Sequence, residues 1–154
     1  MINNDKFRQI RYVFNYNNTH ALKIFKQMGA PMTDDELLAF MKKEEDPGFV
    51  LLSDELLCRF LDGIIIEKRG LKEGAERPKP LTELNNNMIL RKLKIALQLK
   101  DDDILAALKL ADFRLSKSEL GALFQKPEHK NYRHCGDQIL RYTIKGLGLI
   151  HREQ

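Results

Sequence analysis

The apolar residues of this chain recur at the spacing of an α-helix. Phe7, Ile10 and Phe14 follow the i, i+3, i+7 pattern that places side chains on one face of a helix. Two further runs have helical spacing: Ala21, Ile24, Phe25 and Met28, and then Leu57, Phe60, Leu61 and Ile64. No segment shows the sustained alternation of apolar and polar residues that is typical of a β-strand. The pattern therefore predicts an all-α protein.

The same helical pattern occurs twice along the chain. Sliding the sequence by 83 positions places NNDKFRQIR over NNMILRKLK, and SDELLCRFLDGIIIEKR over GDQILRYTIKGLGLIHR, without a gap. About 14 of about 68 aligned positions are identical, and many others exchange one apolar residue for another. We therefore predict two tandem four-helix domains related by internal duplication, at residues 1–70 and 85–154. Residues 71–84 contain Gly74, Pro78 and Pro80, which predicts a linker.

The third helix of each copy has a sequence signal at its start. Thr33 and Glu36 have the spacing of a capping box, in which the hydroxyl and the carboxylate each accept a hydrogen bond from the other residue's backbone N–H. Ser116 and Glu119 repeat this spacing in the second copy. A capping box at the same place in both copies supports the duplication.

The fourth helix of each copy is predicted to begin at an acidic N-cap, Asp54 or Asp137. In the first copy it is expected to end near Gly70. Gly63 and Gly146 occupy equivalent places inside this helix, where glycine costs about 1 kcal/mol relative to alanine. We expect a close contact with a neighbouring helix to compensate for that cost.

Chain length, composition and cysteine count limit the classes of protein to which this chain can belong. A chain of 154 residues with 43% hydrophobic residues can bury one substantial core or two small ones. No apolar run approaches the roughly 20 residues that span a bilayer, and the N-terminus MINNDKFRQI lacks the apolar core of a signal peptide. We therefore expect a cytoplasmic protein without membrane association. Cys58 and Cys135 are too few for a disulfide scaffold, and we expect both to be reduced thiols.

The stretch YRHCGDQ, at residues 132–138, gathers several reactive side chains. Its aligned stretch in the first copy is FVLLSDE, so only the aromatic residue and the aspartate are kept and the thiol and imidazole are absent. We therefore interpret the stretch as the start of a helix. The functional alternative is a redox-sensitive thiol, because Cys135 lies near a helix N-terminus beside Arg133 and His134, which could depress its pKa.

Catalytic and metal-binding motifs are not found in the sequence. His129, His134 and Cys135 have a spacing that matches no standard zinc site. The chain also contains no phosphate-binding glycine loop, G-x-S-x-G or H-E-x-x-H. We predict no bound metal, no cofactor and no catalytic residues.

Positive charge is concentrated in the second copy. Residues 71–154 contain 16 basic and 11 acidic side chains, whereas residues 1–70 contain 10 and 11. Basic helices attract phosphate through the release of counterions, so RNA or DNA is a candidate partner. The candidate phosphate contacts are Arg91, Lys92, Lys94, Lys130, Arg133, Arg141, Lys145 and Arg152. Among them, Arg141 and Lys145 share one helix face by their i, i+4 spacing.

Several sequence features together resemble a known family. They are NND near the N-terminus, the loop KKEEDPGF, the helix LCRFLDGIIIEKRG and, in the second copy, YRHCGDQ. Their order is similar to that of the bacterial YehS-like family, known as domain of unknown function 1456. The resemblance covers essentially the whole chain, including its duplication. It implies a small cytoplasmic bacterial protein made of two related domains, and it brings no activity or catalytic residues with it.

Three hypotheses for the function follow. The first is a non-catalytic helical interaction or adaptor protein, whose partner is another protein or a second copy of the chain. The alternative is a regulator that binds RNA or DNA through the basic second copy. An enzyme is the third, and it would need a cleft between the copies with convergent polar groups.

Overall fold

The computed structural model of the protein describes residues 1–152, which contain eight helices and no β-strand. The first repeat consists of α1 (Asn3–Phe14), α2 (Asn18–Gln27), α3 (Asp34–Met41) and α4 (Asp54–Arg69). The second consists of α5 (Asn86–Ala96), α6 (Asp101–Leu110), α7 (Lys117–Leu123) and α8 (Asp137–His151). The predicted all-α fold with two tandem four-helix repeats is confirmed. Residues 71–84, called the linker below, contain no helix.

The apolar face predicted for each helix lies in a core that both repeats share. Phe7 and Ile10 of α1 are fully buried, as are Leu90 and Ile104 of the second repeat. They belong to one continuous cluster that includes residues from all eight helices. Because burial of apolar surface is the main favourable term in folding, this shared cluster joins the repeats into one body.

The helices of the two repeats pack against each other in a reciprocal way. Helix α1 packs along α8, and α5 packs along α4, whereas α1 has fewer contacts with α4 of its own repeat. Since α5 is the counterpart of α1 and α8 is the counterpart of α4, the two contacts are equivalent. This arrangement is the intramolecular version of the symmetric interface of a homodimer. A pseudo-twofold axis therefore relates the two repeats.

Both predicted capping boxes are present. Thr33 Oγ1 accepts a hydrogen bond from the Glu36 N–H at 3.1 Å, and Glu36 Oε1 accepts one from the Thr33 N–H at 3.1 Å. Ser116 and Glu119 make the same pair of bonds, each at 3.0 Å. These bonds satisfy backbone donors that otherwise lack a partner at a helix start.

Removing either cap is expected to destabilise the fold modestly. Thr33→Ala and Ser116→Ala should each lower the free energy of unfolding by about 1 kcal/mol, because each loses one side-chain acceptor for a backbone N–H. Urea denaturation followed by circular dichroism measures the change. Thr19→Ala is the control, since Thr19 is an exposed residue inside α2 and should tolerate alanine. If both mutants have the same urea midpoint of unfolding as the wild type, Thr33 and Ser116 do not stabilise their helices as N-caps.

The prediction of acidic N-caps on the fourth helices was wrong. The N-cap residues are Ser53 and Gly136, and the aspartates are the first helical residues. Ser53 Oγ accepts the hydrogen bond from the Leu56 N–H at 3.1 Å. The carboxylates of Asp54 and Asp137 are therefore available for other partners.

The predicted close helix contacts at the two equivalent glycines are confirmed. A Cβ at Gly63 would lie 2.4 Å from Ile24 Cγ2, and a Cβ at Gly146 would lie 1.9 Å from the Ala107 carbonyl oxygen. Neither separation is possible between non-bonded atoms. Glycine therefore permits α2 to approach α4, and α6 to approach α8.

Within residues 1–152, no helix combines the length and the apolar composition that a membrane span requires.

Candidate functional site

An asparagine at the start of each repeat fixes the loop that precedes its fourth helix. In the first repeat, the Asn4 side chain donates to the carbonyl oxygens of Phe40 and Val50, each at 2.9 Å. Its Oδ1 accepts from the Leu52 N–H at 2.9 Å. All the polar atoms of this buried amide are engaged, as burial requires. Helical periodicity does not indicate this role, and the Asn-Asn pair that recurs in both copies is its only signal in the sequence.

The equivalent bonds in the second repeat explain the YRHCGDQ stretch. Asn87 donates to the carbonyl oxygens of Leu123 at 3.0 Å and Arg133 at 2.8 Å, and it accepts from the Cys135 N–H at 2.8 Å. Asn86 donates to the Cys135 carbonyl at 3.0 Å. Cys135 thus lies in a structural loop held by the first helix of its repeat.

The environment of Cys135 is unlike that of a reactive thiol. The residue is fully buried, and burial, together with the nearby Asp137 charge, raises the pKa of its thiol to about 11. This direction is opposite to the depressed pKa that the sequence suggested for a redox-sensitive cysteine. Cys58 is also fully buried, and burial raises the pKa of its thiol as well.

Both thiols are expected to resist alkylation in the folded protein. With its pKa raised to about 11, the Cys135 thiol holds about a hundredfold less thiolate at neutral pH than an ordinary thiol, and burial blocks access to both cysteines. Iodoacetamide labelling followed by mass spectrometry should therefore modify Cys58 and Cys135 slowly in buffer and rapidly in concentrated urea. Rapid labelling of folded Cys135 would contradict this placement.

Asp137 connects the two repeats, and Asp54 connects the first repeat to the end of the linker. Asp54 Oδ2 accepts from the Leu84 N–H at 3.0 Å, just before the second repeat begins. Asp137 Oδ2 accepts from the Met1 ammonium group at 2.7 Å. Leu84 and Met1 are aligned by the same offset that relates the repeats, so these two bonds are equivalent. The hydrogen bonds from the terminal ammonium and from Asn86 lower the pKa of the Asp137 carboxyl.

The pseudo-twofold axis relates two grooves between helices, and one of them is filled. In the α4–α5 groove, Lys92 forms an ion pair with the buried Asp62 at 2.6 Å. The linker lies across α4 there, because the Leu81 N–H donates to Cys58 Sγ at 3.4 Å. This groove is closed by the protein's own chain.

The equivalent groove between α1 and α8 is open. It has a volume of about 400 Å³ and is called the α1–α8 groove below. Its lining residues are Gln9, Tyr12, Arg141, Ile144, Lys145 and Leu149. All of them belong to α1 or α8, and no linker residue is among them. The α1–α8 groove is therefore the candidate functional site.

The α1–α8 groove combines apolar surface with unpaired polar groups. Tyr12 and Leu149 are 58% and 63% exposed, so the groove presents two large, largely apolar side chains to solvent. Arg141 and Lys145 are exposed and form no ion pair with a carboxylate in residues 1–152. Gln9 Oε1 is buried and has no hydrogen-bond partner in that part of the chain. The groove can thus accept a ligand with both apolar and acidic groups.

The structure separates the eight cations that the sequence proposed as phosphate contacts. Arg91 donates to the Phe124 carbonyl at 2.6 Å, and Lys94 pairs with Asp101 at 2.8 Å. Lys92 is used in the ion pair with Asp62 described above. These three side chains therefore already have partners within the fold.

The remaining five cations fall into two groups. Lys130 and Arg133 border a separate depression of about 590 Å³ beside α7. Arg141 and Lys145 line the α1–α8 groove, as their i, i+4 spacing indicated. Arg152 joins them, since it donates to the Tyr12 carbonyl at 2.7 Å and its guanidinium lies 3.8 Å from the centroid of the Tyr12 ring. No single continuous stripe contains all eight.

The cysteine and histidines that the sequence considered as metal ligands are not gathered in one site. Cys135 is buried, whereas His129 and His134 are exposed. His129 Nδ1 accepts from the Asn131 N–H at 3.0 Å. In the described range 1–152, no three His, Cys, Asp or Glu side chains are arranged to hold a metal ion.

Only the α8 side of the groove could be predicted from the sequence. Gln9 and Tyr12 were missed because they belong to α1, which meets α8 only in the folded chain. The aligned positions did carry a signal, since Arg141 and Lys145 replace Cys58 and Asp62 of the first copy.

Comparisons with known proteins identify a family model and a relative whose descriptions assign no activity. The family model described as protein of unknown function (DUF1456) matches residues 3–70 and again residues 86–152. The Uncharacterized protein YehS of Escherichia coli (strain K12) is 42% identical over 147 residues, which is 96% of this chain and 94% of that protein. No solved structure matches the chain. The chain belongs to the DUF1456 family and contains two copies of its domain.

Proposed function

We propose that this protein is a non-catalytic interaction protein that binds another protein in the α1–α8 groove. The observation that carries the proposal is the difference between two equivalent grooves. The α4–α5 groove is closed by the linker and by the ion pair between Lys92 and Asp62. The α1–α8 groove keeps the same helical walls, yet no linker residue lines it, and its Leu149 is 63% exposed whereas the aligned Ile66 is partly buried. Exposed apolar side chains with a polar rim are typical of protein interaction sites.

The chemistry of the groove supports binding more than catalysis. Acid–base catalysis needs titratable groups with displaced pKa values inside a cleft. The thiols of Cys58 and Cys135 and the carboxyl of Asp137 have displaced pKa values, but none of these groups lines the groove. Their partners are backbone groups and side chains of the fold itself.

Nucleic-acid binding is the second candidate, and one observation favours it. Arg141, Lys145 and Arg152 lie around the exposed ring of Tyr12, so phosphates and a stacked base could meet one surface. The other five candidate cations lie elsewhere. Three adjacent cations predict affinity for phosphates that falls only modestly with salt, because each contact releases about one counterion.

Photo-crosslinking in cells tests the proposal. The crosslinking amino acid p-benzoylphenylalanine replaces Tyr12 in one variant and Ile95 in the other. Ile95 is the aligned residue of α5 and is 47% exposed, so it is a matched control. We expect position 12 to capture one protein in high yield and position 95 to capture none.

Two results would contradict the proposal. One is equal capture at positions 12 and 95, which would indicate random encounters. The other is capture of nucleic acid alone at position 12, which would favour the second candidate.

A further inference from the structure

We infer that the α1–α8 groove binds an extended, acidic peptide segment of a partner protein, in the way that the linker lies across the equivalent groove. This inference rests on the proposed function, because it specifies the partner chemistry of the same groove.

The linker shows how these helical walls hold an extended chain. It leaves α4 at Gly70, and its Leu84 N–H reaches Asp54 at the start of the same helix. Between these points the Leu81 N–H donates to Cys58 Sγ, one turn into α4. The linker therefore runs back along α4. A helix of this length measures about 24 Å, which about eight extended residues can span.

The α1–α8 groove contains an equivalent path along α8, and residues of this chain mark both of its ends. Met1 lies at Asp137, at the start of α8, in the place that Leu84 takes at Asp54. Arg152 lies at the other end, against Tyr12. Among residues 1–152, no segment runs between these two ends along the α1–α8 groove. A segment from a partner can take this path.

The equivalent groove favours an extended chain over a helix. The linker has no helix over residues 71–84 and follows the equivalent wall. An extended segment also presents free backbone N–H and C=O groups that can bond to polar side chains lining the groove.

The charge of the groove selects an acidic segment. In the α4–α5 groove, the Asp62 carboxylate neutralises Lys92. The equivalent pair in the α1–α8 groove is Lys145 and Gln9, so the lysine has no carboxylate opposite it. Arg141 replaces the neutral Cys58 and adds a second positive charge. Aspartate or glutamate in the bound segment would pair with both cations, and an apolar neighbour would cover Leu149.

Selection from a peptide library tests this inference directly. The probe is a phage-displayed library of random peptides of about 12 residues, a length that exceeds the groove. The full-length protein is the target. We expect the selected peptides to be rich in Asp and Glu, with apolar residues between them. Nuclear magnetic resonance of a bound peptide should show extended backbone.

Charge reversal then locates the binding. R141E/K145E should weaken the selected peptides by about tenfold or more, because two favourable charge pairs become repulsive. K23E/K26E is the matched control, since it changes the net charge equally at exposed lysines of α2 outside the groove. Peptides should bind this control within about twofold of the wild type.

Several outcomes would overturn the inference. They are selected peptides that are neutral or basic, acidic peptides that bind both charge-reversal variants equally, and peptides that bind as helices. Displacement of the peptides by poly(U) RNA, with tighter RNA binding that also depends on Arg141 and Lys145, would identify phosphate as the ligand. If position 12 still captures a protein in cells when no acidic peptide is selected, the proposed function stands and only this inference fails.

Discussion

Replacing Gly146 by alanine is expected to lower the free energy of unfolding by about 3 kcal/mol. The new Cβ would lie 1.9 Å from the Ala107 carbonyl oxygen and 2.4 Å from its carbonyl carbon. Both atoms belong to the backbone of α6, which cannot rotate out of the way. The helices would have to separate, and the fully buried Leu108 and Leu147 would lose their packing.

Two other glycines serve as controls for this result. A Cβ at Gly63 would meet the Ile24 side chain, which can adjust, so Gly63→Ala should cost less, about 1 to 2 kcal/mol. A Cβ at Gly121 meets nothing within 4 Å inside α7, so Gly121→Ala should be neutral or should stabilise the protein by up to about 1 kcal/mol. Urea denaturation of the three variants gives the order. A Gly146→Ala variant that is as stable as the wild type would contradict the close approach of α6 and α8.

Replacing Asn87 by alanine is expected to cost about 3 kcal/mol, because three hydrogen bonds are lost together. The carbonyl oxygens of Leu123 and Arg133 would lose their amide donor, and the buried Cys135 N–H would lose its acceptor. A buried backbone group without a partner has lost its hydrogen bonds to water and gained none in return, which destabilises the folded state. Asn4→Ala should behave alike in the first repeat, where the same three bonds occur.

Asn85 provides the matched control for Asn87. It lies two residues earlier, and its Oδ1 accepts one hydrogen bond as the N-cap of α5, from the Met88 N–H at 2.9 Å. Asn85→Ala should therefore cost only about 1 kcal/mol. Thermal or urea denaturation of both variants separates the two roles. Equal losses would show that Asn87 does not hold the loop ahead of α8.

Local features of this fold could be predicted from the sequence because their causes lie within a few residues. The capping box at Thr33 depends on a spacing of three residues, and the helix at Phe7 depends on the apolar period. The N-caps of the fourth helices were assigned wrongly to aspartates. Ser53 precedes Asp54 directly, and both residue types can cap a helix, so the pattern alone did not separate them.

The packing of the repeats could not be predicted because its causes are distant in sequence. Nothing in the periodicity of α1 indicates that it packs along α8 more closely than along α4. The candidate groove depends on this packing. Arg141 and Lys145 were recognised as one helix face, whereas their neighbours Gln9 and Tyr12 could be found only once α1 was in place.

Both the fold and the α1–α8 groove depend on the shared core of the two repeats, and native-state hydrogen exchange measures whether that core unfolds as one unit. Since α1 packs on α8 and α5 on α4, neither repeat should unfold without the other. The slowest amides of α1, α4, α5 and α8 should therefore exchange with one common free energy, equal to that of global unfolding. If the slowest amides of one repeat exchange at a clearly lower free energy than those of the other, the repeats unfold separately. That result would contradict a shared core.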